Sequence, residues 1–153
     1  MTELVYLDLY DNELTGTLPS EIGLMTKLSS LYLYDNELTG TLPSEIGLMT
    51  ELVYLDLYKN AFTGTLPSEI GLLTKLTDLD LSDNAFTGTL PSEIGLMTLT
   101  KLSYLNLYSN EFTGTLPREI GNLGIGVVLD EDDDYVSMSS WSPSTSAPII
   151  LEV

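Results

Sequence analysis

A chain of 153 residues with 43% hydrophobic and 8% aromatic content can bury one domain's core, and 23 acidic against five basic residues give it a net charge of −18. That field repels phosphate backbones and anionic lipid, so nucleic acid and membrane surfaces are poor partners. The absence of cysteine and histidine removes disulfide frameworks, zinc-finger spacings and the commonest general base.

In chain order, the first feature is a repetition. Residues 1–10 are identical to residues 49–58, so the sequence opens part-way through a recurring unit. No basic n-region and apolar h-region of a signal peptide precedes it, and no apolar run approaches the ~20 residues that cross a bilayer. Leu4, Leu28, Leu52 and Leu76 are spaced by 24, and Leu102 follows after 26, which places a two-residue insertion around Leu99 and Thr100. A fixed period of this length decides the architecture before any local propensity does. One copy reads Leu52, Leu55, Leu57, Asn60, Phe62, Thr63, Gly64, Thr65, Leu66, Pro67, Glu69, Ile70, Gly71. The expectation is a piece of a longer array whose first strand, Leu4 to Leu9, is an uncapped edge.

Within each unit the alternation around Val53 to Tyr58 predicts a half-buried strand with Leu55 and Leu57 inward. Leu4, Leu7, Leu9, Leu14, Leu18, Ile22 and Met25 form the core contribution of the first unit, too little to order one unit without its neighbours. Asn12, Asn36, Asn60, Asn84 and Asn110 follow the strands, where an amide can satisfy both backbone donors and acceptors. Gly16, Gly40, Gly64, Gly88 and Gly114 mark a turn that needs positive φ or close backbone approach. Pro19 to Ile22, closed by Gly23, has the order of a short 3₁₀ turn. The insertion near Leu99 is expected to bulge outward and leave Leu102, Leu105 and Leu107 in the core. Residues 1–124 are thus read as five repeats, 125–129 as a degenerate terminal strand, and 130–153 as an acidic, then Ser/Pro-rich flexible tail. The run Asp130 to Asp134 lacks the ligand spacing of an EF-hand loop.

Over residues 1–124 this pattern resembles the plant-specific class of leucine-rich repeats found in receptor-kinase ectodomains. The resemblance implies an α/β solenoid: a right-handed superhelix with a parallel concave sheet and short 3₁₀ or turn segments on the convex side. It also implies a protein- or peptide-binding scaffold rather than an enzyme, without cofactor or metal, from an extracellular or membrane-associated parent.

Strand alternation lines up the residues between the core leucines in columns ~4.8 Å apart. The first is Tyr6, Ser30, Tyr54, Asp78, Tyr104; the second is Asp8, Tyr32, Asp56, Asp80, Asn106; the third is Tyr10, Tyr34, Tyr58, Ser82, Tyr108. A rim column holds Asp11, Asp35, Lys59, Asp83, Ser109. Eight of the nine tyrosines and every aspartate before residue 130 fall on this face, which suits a cationic peptide or protein, or a glycan. The candidate contacts are Tyr6, Asp8, Tyr10, Tyr32, Tyr34, Tyr54, Asp56, Tyr58, Asp78, Asp80, Asp83, Tyr104 and Tyr108. In the cluster Asp56, Asp78, Asp80 and Asp83, like charges favour protonation, a cationic peptide or divalent ion would relieve the repulsion, and Lys59 is placed to offset Asp35 and Asp83. Asp56 and Asp80 have the ~5 Å spacing of a retaining glycosidase pair, but on an open sheet without a pocket. A third reading takes the ladders Thr15, Thr39, Thr63, Thr87, Thr113 and Thr17, Thr41, Thr65, Thr89, Thr115 as an ice-binding array, against their ordinary role of satisfying local backbone.

Overall fold

Each of the first four units lays down an inner strand, a second short strand and an outer 3₁₀ turn, because its leucines can be buried only against neighbouring units. The computed structural model describes residues 3–99, 102–117, 120, 126–128 and 136–137. Strands are numbered in chain order. The inner strands are β1 (Tyr6–Asp8), β3 (Ser30–Tyr32), β5 (Tyr54–Asp56), β7 (Asp78–Asp80) and β9 (Tyr104–Asn106). They pair in parallel and in register, Leu7 beside Leu31, Leu31 beside Leu55, Leu55 beside Leu79 and Leu79 beside Leu105. Two further strands, β11 (Gly126–Val128) and β12 (Val136–Ser137), complete the sheet in the order β1-β3-β5-β7-β9-β11-β12. β11 is parallel to β9, and β12 returns antiparallel to β11; the acidic run 130–134 lies outside the described residues.

Beneath the sheet the core repeats as regularly as the sequence. Leu31, Leu55, Leu79 and Leu105 are buried together with Leu33, Leu57, Leu81 and Leu107. Phe62, Phe86 and Phe112 stack at centroid distances of 5.9 and 6.0 Å with interplanar angles of 6°. The first unit is flanked on one side only among the described residues. Leu4 and Leu9 are therefore 42% and 37% exposed, where their equivalents Leu28 and Leu33 are 0% and 3%. The insertion is taken up on the outside. The turns Ser20–Leu24, Ser44–Leu48 and Ser68–Leu72 are followed by a longer one, Ser92–Leu99, while Leu102, Leu105 and Leu107 remain buried.

The Thr-Gly-Thr segment departs from the turn predicted for it. It builds a second parallel sheet of β2 (Thr15–Thr17), β4 (Glu37–Gly40), β6 (Ala61–Gly64), β8 (Ala85–Gly88) and β10 (Glu111–Phe112). The glycines do need positive φ, +75° at Gly64, and a Cβ on Gly64 would lie 2.8 Å from Cγ2 of Thr41. In this sheet Thr39 pairs with Thr17 on one side and Ala61 on the other, and Thr63 with Ala85, so the pairing slips by two positions and a threonine does not stand beside its own equivalent in the next unit.

The asparagine after each inner strand ties two units together. The side-chain amide of Asn60 donates to the carbonyls of Leu33 at 2.9 Å, Leu57 at 3.2 Å and Tyr58 at 3.3 Å, and its oxygen accepts the N–H of Leu38 at 3.0 Å. Asn36, Asn84 and Asn110 repeat the arrangement. Replacing Asn60 by Ala orphans the Leu38 N–H, while each carbonyl keeps one other donor, the Asn36 amide for Leu33, the Asn84 amide for Leu57 and the Asp35 N–H for Tyr58. A loss of about 1–3 kcal/mol is expected in urea denaturation, the cost of one orphaned, partly buried donor.

The outer turns are equally close. A Cβ on Gly47 would meet the carbonyl oxygen of Glu69 at 2.7 Å and its Cβ at 2.8 Å. Gly47→Ala, a change that in an open helical turn would stabilise, should here cost about 1–3 kcal/mol through overpacking, measurable in the same denaturation series.

Candidate ligand-binding face

The inner sheet brings the candidate residues together as the columns require. Tyr6 pairs with Ser30, Ser30 with Tyr54, Tyr54 with Asp78 and Asp78 with Tyr104; Asp8 pairs with Tyr32, Tyr32 with Asp56, Asp56 with Asp80 and Asp80 with Asn106. The backbone ladder continues past the strands, with Leu33 N–H to Asp56 O at 2.9 Å and Asp35 N–H to Tyr58 O at 2.9 Å, and this carries the third column along. Its first two rings, Tyr10 and Tyr34, stack at 4.6 Å and 5°. Tyr32 bridges two neighbours, with ring centroids 5.5 Å from Tyr6 and 6.4 Å from Tyr54.

Two contiguous depressions result. One of about 340 Å³ is lined by Tyr6, Asp8, Tyr10, Tyr32, Tyr34 and Asp56. The other, of about 210 Å³, is lined by Tyr32, Tyr54, Asp56, Asp78, Asp80 and Tyr104 over a floor of Leu55. Tyr32 and Asp56 belong to both, so the concave face is one shallow trough with aromatic walls. Tyr58 and Tyr108 flank it in the third column, and Asp83 lies on the rim.

The aspartates of the second column have two jobs. One oxygen of each accepts the backbone N–H two residues on: Tyr58 N–H to Asp56 Oδ1 at 3.0 Å, Ser82 N–H to Asp80 Oδ1 at 2.9 Å, and Tyr108 N–H to Asn106 Oδ1 at 3.1 Å. What the second oxygen meets differs along the column. Asp80 Oδ2 receives the Tyr104 hydroxyl and the Asn106 amide, both at 3.3 Å. Ser82, buried beneath it, also donates its hydroxyl to Asp80. Asp78 accepts the hydroxyl of Thr77. Asp56 Oδ2 has no protein donor among the described residues and faces the trough.

The acidic cluster is thus less uniform than the sequence suggests. Burial raises the Asp56 carboxyl from 3.8 to about 6, against the Tyr58 N–H bond that lowers it, and the charge of Asp80 adds to the rise. Desolvation leads, where the sequence reading put like-charge repulsion first. Lys59 does not divide itself between two partners: its ammonium lies 2.9 Å from Asp35, and its pKa is raised by that bond. Nor do the carboxylates converge on a cation site, since no group of three or more metal-capable side chains occurs among the described residues. At the other end of the trough the Tyr6 hydroxyl donates to Asp8 at 2.9 Å, which holds the phenol above its ordinary range.

Comparison with known families decides what this architecture is. The Leucine Rich Repeat model matches residues 3–25, 27–49, 51–73, 75–97 and 101–123. The chain belongs to the leucine-rich repeat family. No curated protein sequence matches it, but solved structures do. The repeat protein is 33% identical to the ectodomain of the plant membrane receptor kinase GASSHO1/SCHENGEN3 from Arabidopsis thaliana, with TM-score 0.79 over 85% of this chain and 16% of that one. It is 39% identical to the plant peptide hormone receptor RGFR1, solved in complex with RGF2, with TM-score 0.81 over 85% of this chain and 21% of that one. A chain of the Arabidopsis thaliana BIR3–SERK2 complex gives 33% identity and TM-score 0.73, covering 84% of this chain and 71% of that one. The repeat protein therefore spans about a fifth or less of the first two receptor ectodomains, and no helix among its described residues is long and apolar enough to cross a membrane.

Three features of the face escape the column pattern: the donors that saturate Asp80, the burial of Asp56, and the left-handed backbone of the rim residues, φ 55° at Asp35, 54° at Lys59 and 48° at Asp83. Only the last had a local signal, in the Asp-Asn pairs.

A carboxyl with a raised pKa binds its proton more tightly in the folded than in the unfolded chain. Between pH 4 and 6 the native state then holds more protons, so stability falls as pH rises through that window. Asp56→Asn keeps the acceptor for Tyr58 N–H, as Asn106 does for Tyr108, and removes the buried charge. It should raise stability at pH 7 by about 1 kcal/mol, allowing for solvent screening of a partly exposed group, with no gain at pH 4; thermal denaturation at the two pH values checks both.

Proposed function

We propose that this repeat protein is a binding scaffold that takes a cationic peptide or protein segment along the Tyr/Asp trough, seating one lysine or arginine head among Tyr32, Tyr54 and Tyr104 against Asp56. The observation that carries the reading is the state of Asp56: half-buried in the tyrosine-lined trough, with one carboxylate oxygen given to the backbone and the other to no donor among the described residues. A basic head supplies the missing donor, returns the charge balance to a desolvated site, and packs on tyrosine faces by cation–π contact. The trough is open and shallow, a shape for a segment lying across it rather than for an enclosed small molecule. Structural relatives solved with a peptide hormone, such as RGFR1 with RGF2, support the peptide class of partner.

Catalysis finds no support in the same geometry. Asp80, the carboxylate beside Asp56, is held by four donors, which ties it up as an acceptor rather than leaving it poised as the second member of a catalytic pair. The ice-binding alternative loses the two unbroken ladders it was drawn on, because the slipped register sets Thr39 between Thr17 and Ala61.

The test is a titration of Lys- and Arg-bearing decapeptides against their Gln isosteres, with neutral oligosaccharides as a third arm, by calorimetry. Asp56→Asn should weaken the basic peptides about 10-fold, equivalent to ~1.4 kcal/mol. Binding should also weaken as pH falls from 7.5 to 5, because the ligand needs the carboxylate and competes with its proton, and the variant should lose that pH dependence. Equal affinity for the Gln isosteres would overturn the cationic reading, and saccharide binding indifferent to Asp56→Asn would hand the trough to a glycan.

A further inference from the structure

Each outer turn carries a leucine that the fold leaves in water. Leu24, Leu48, Leu72 and Leu96 are 68%, 54%, 52% and 54% exposed, at the same position of four successive turns. Their neighbours have structural reasons to be what they are: Ile22, Ile46, Ile70 and Ile94 are buried, and Gly23, Gly47 and Gly71 admit no Cβ against the next turn. The leucines have none. At the equivalent position of the fifth unit, after Gly121, the sequence has Asn122, so the repeat itself accepts a polar residue there.

Scattered exposed leucines are ordinary, but an aligned apolar strip marks an interaction surface. Here the turns stack at contact distance, so the four leucines form one ridge along the outer face. Beside them runs a second row, Glu21, Glu45, Glu69 and Glu93. These carboxylates are approached by the hydroxyl of the preceding serine at 3.2–3.4 Å, which leaves their charge uncompensated. The ion pairs among the described residues, Lys59–Asp35 and Lys75–Glu51, do not involve this row.

We propose that this ridge is a second docking surface, separate from the concave trough, for a basic amphipathic helix of a partner protein. Its apolar stripe would lie on Leu24, Leu48, Leu72 and Leu96, and its lysines or arginines on the glutamate row. Charge selects the occupant. A second copy would set one glutamate row against another on a chain of net charge −18, and an anionic bilayer would be repelled in the same way. Spacing favours a helix: its apolar side chains recur once per turn, about every 5.4 Å, close to the ~4.8 Å at which stacked strands repeat.

The probe is a fluorescent 18-residue Leu/Lys peptide with leucines at helical spacing, compared with a scrambled peptide of the same composition. Anisotropy should show saturable binding of the first and at least 10-fold weaker binding of the second. Replacing all four ridge leucines by Asn should weaken the peptide at least 10-fold, and the milder pair Leu48→Asn, Leu72→Asn should move it in the same direction with an unchanged melting temperature. Glu45→Gln with Glu69→Gln should flatten the salt dependence, and the loss caused by the leucine variants should persist in an Asp56→Asn background, where the trough's own hold on a basic peptide is weakened. Unchanged binding by the folded leucine variants in the Asp56→Asn background would overturn the proposal, as would equal binding of the scrambled peptide in that background. Sedimentation showing a dimer that the leucine variants abolish would assign the ridge to a second copy instead, and that too would refute it.

Discussion

The side-chain amide of the repeated asparagine is the interaction on which the rest of this solenoid depends. A chain that leaves a strand and bends has backbone groups with no ladder partner, and burying them unpaired costs more than any single hydrogen bond returns. Asn36, Asn60, Asn84 and Asn110 each satisfy such groups in two units at once. The residue before each of them is left-handed, including Lys59 at φ 54° and Ser109 at φ 52°, a conformation that costs an L-residue roughly 1–2 kcal/mol. The amide's bonds offset that strain. Because the bend is fixed at the same place in every unit, the inner strands begin and end together, and their outward residues stay in columns.

Fixing the bend leaves the concave positions free to differ, and they are where the units do differ. The outer turns repeat Ser-Glu-Ile-Gly-Leu four times without change. The second column instead runs Asp8, Tyr32, Asp56, Asp80, Asn106. Part of its acidity is structural, since Asp56, Asp80 and Asn106 all receive the N–H two residues on. An aspartate there is not by itself a sign of a ligand. What sets Asp56 apart is its surroundings: burial raises its pKa, Tyr32 and Tyr54 line the trough beside it, and no donor among the described residues reaches its second oxygen.

The period carried most of the fold. It located the core leucines, the parallel inner sheet, the structural asparagines and the glycines with positive φ, because each is imposed at the same offset in every unit. The second sheet was not legible. Thr-Gly-Thr has no apolar alternation, and the slip by two positions that pairs Thr39 with Ala61 is a property of neighbouring coils. The trough was legible as a set of columns and illegible as chemistry. That Lys59 chooses Asp35 over Asp83, that Tyr104 and Asn106 saturate Asp80 from 24 and 26 residues away, and that Asp56 is desolvated by burial all depend on rotamers and packing. The outer leucines were hidden by the same period, which marks Leu24 as apolar without saying which way it faces.

Repetition gives the two faces opposite recognition properties. On the outer ridge, identical turns offer an apolar and acidic strip that looks the same after a shift of one unit, so a partner helix can bind in several equivalent registers. Such degeneracy favours association statistically and tolerates variation in the partner, while giving little discrimination between similar sequences. In the concave trough a shift of one unit exchanges tyrosine for aspartate in the second column, and a segment matched to Asp56 meets Tyr32 or a saturated Asp80 instead. Only one register satisfies both the carboxylate and the rings. On the two proposals, sequence discrimination would reside in the trough, on the few positions that escaped the repeat, and the ridge would add contact area whose chemistry is uniform along it.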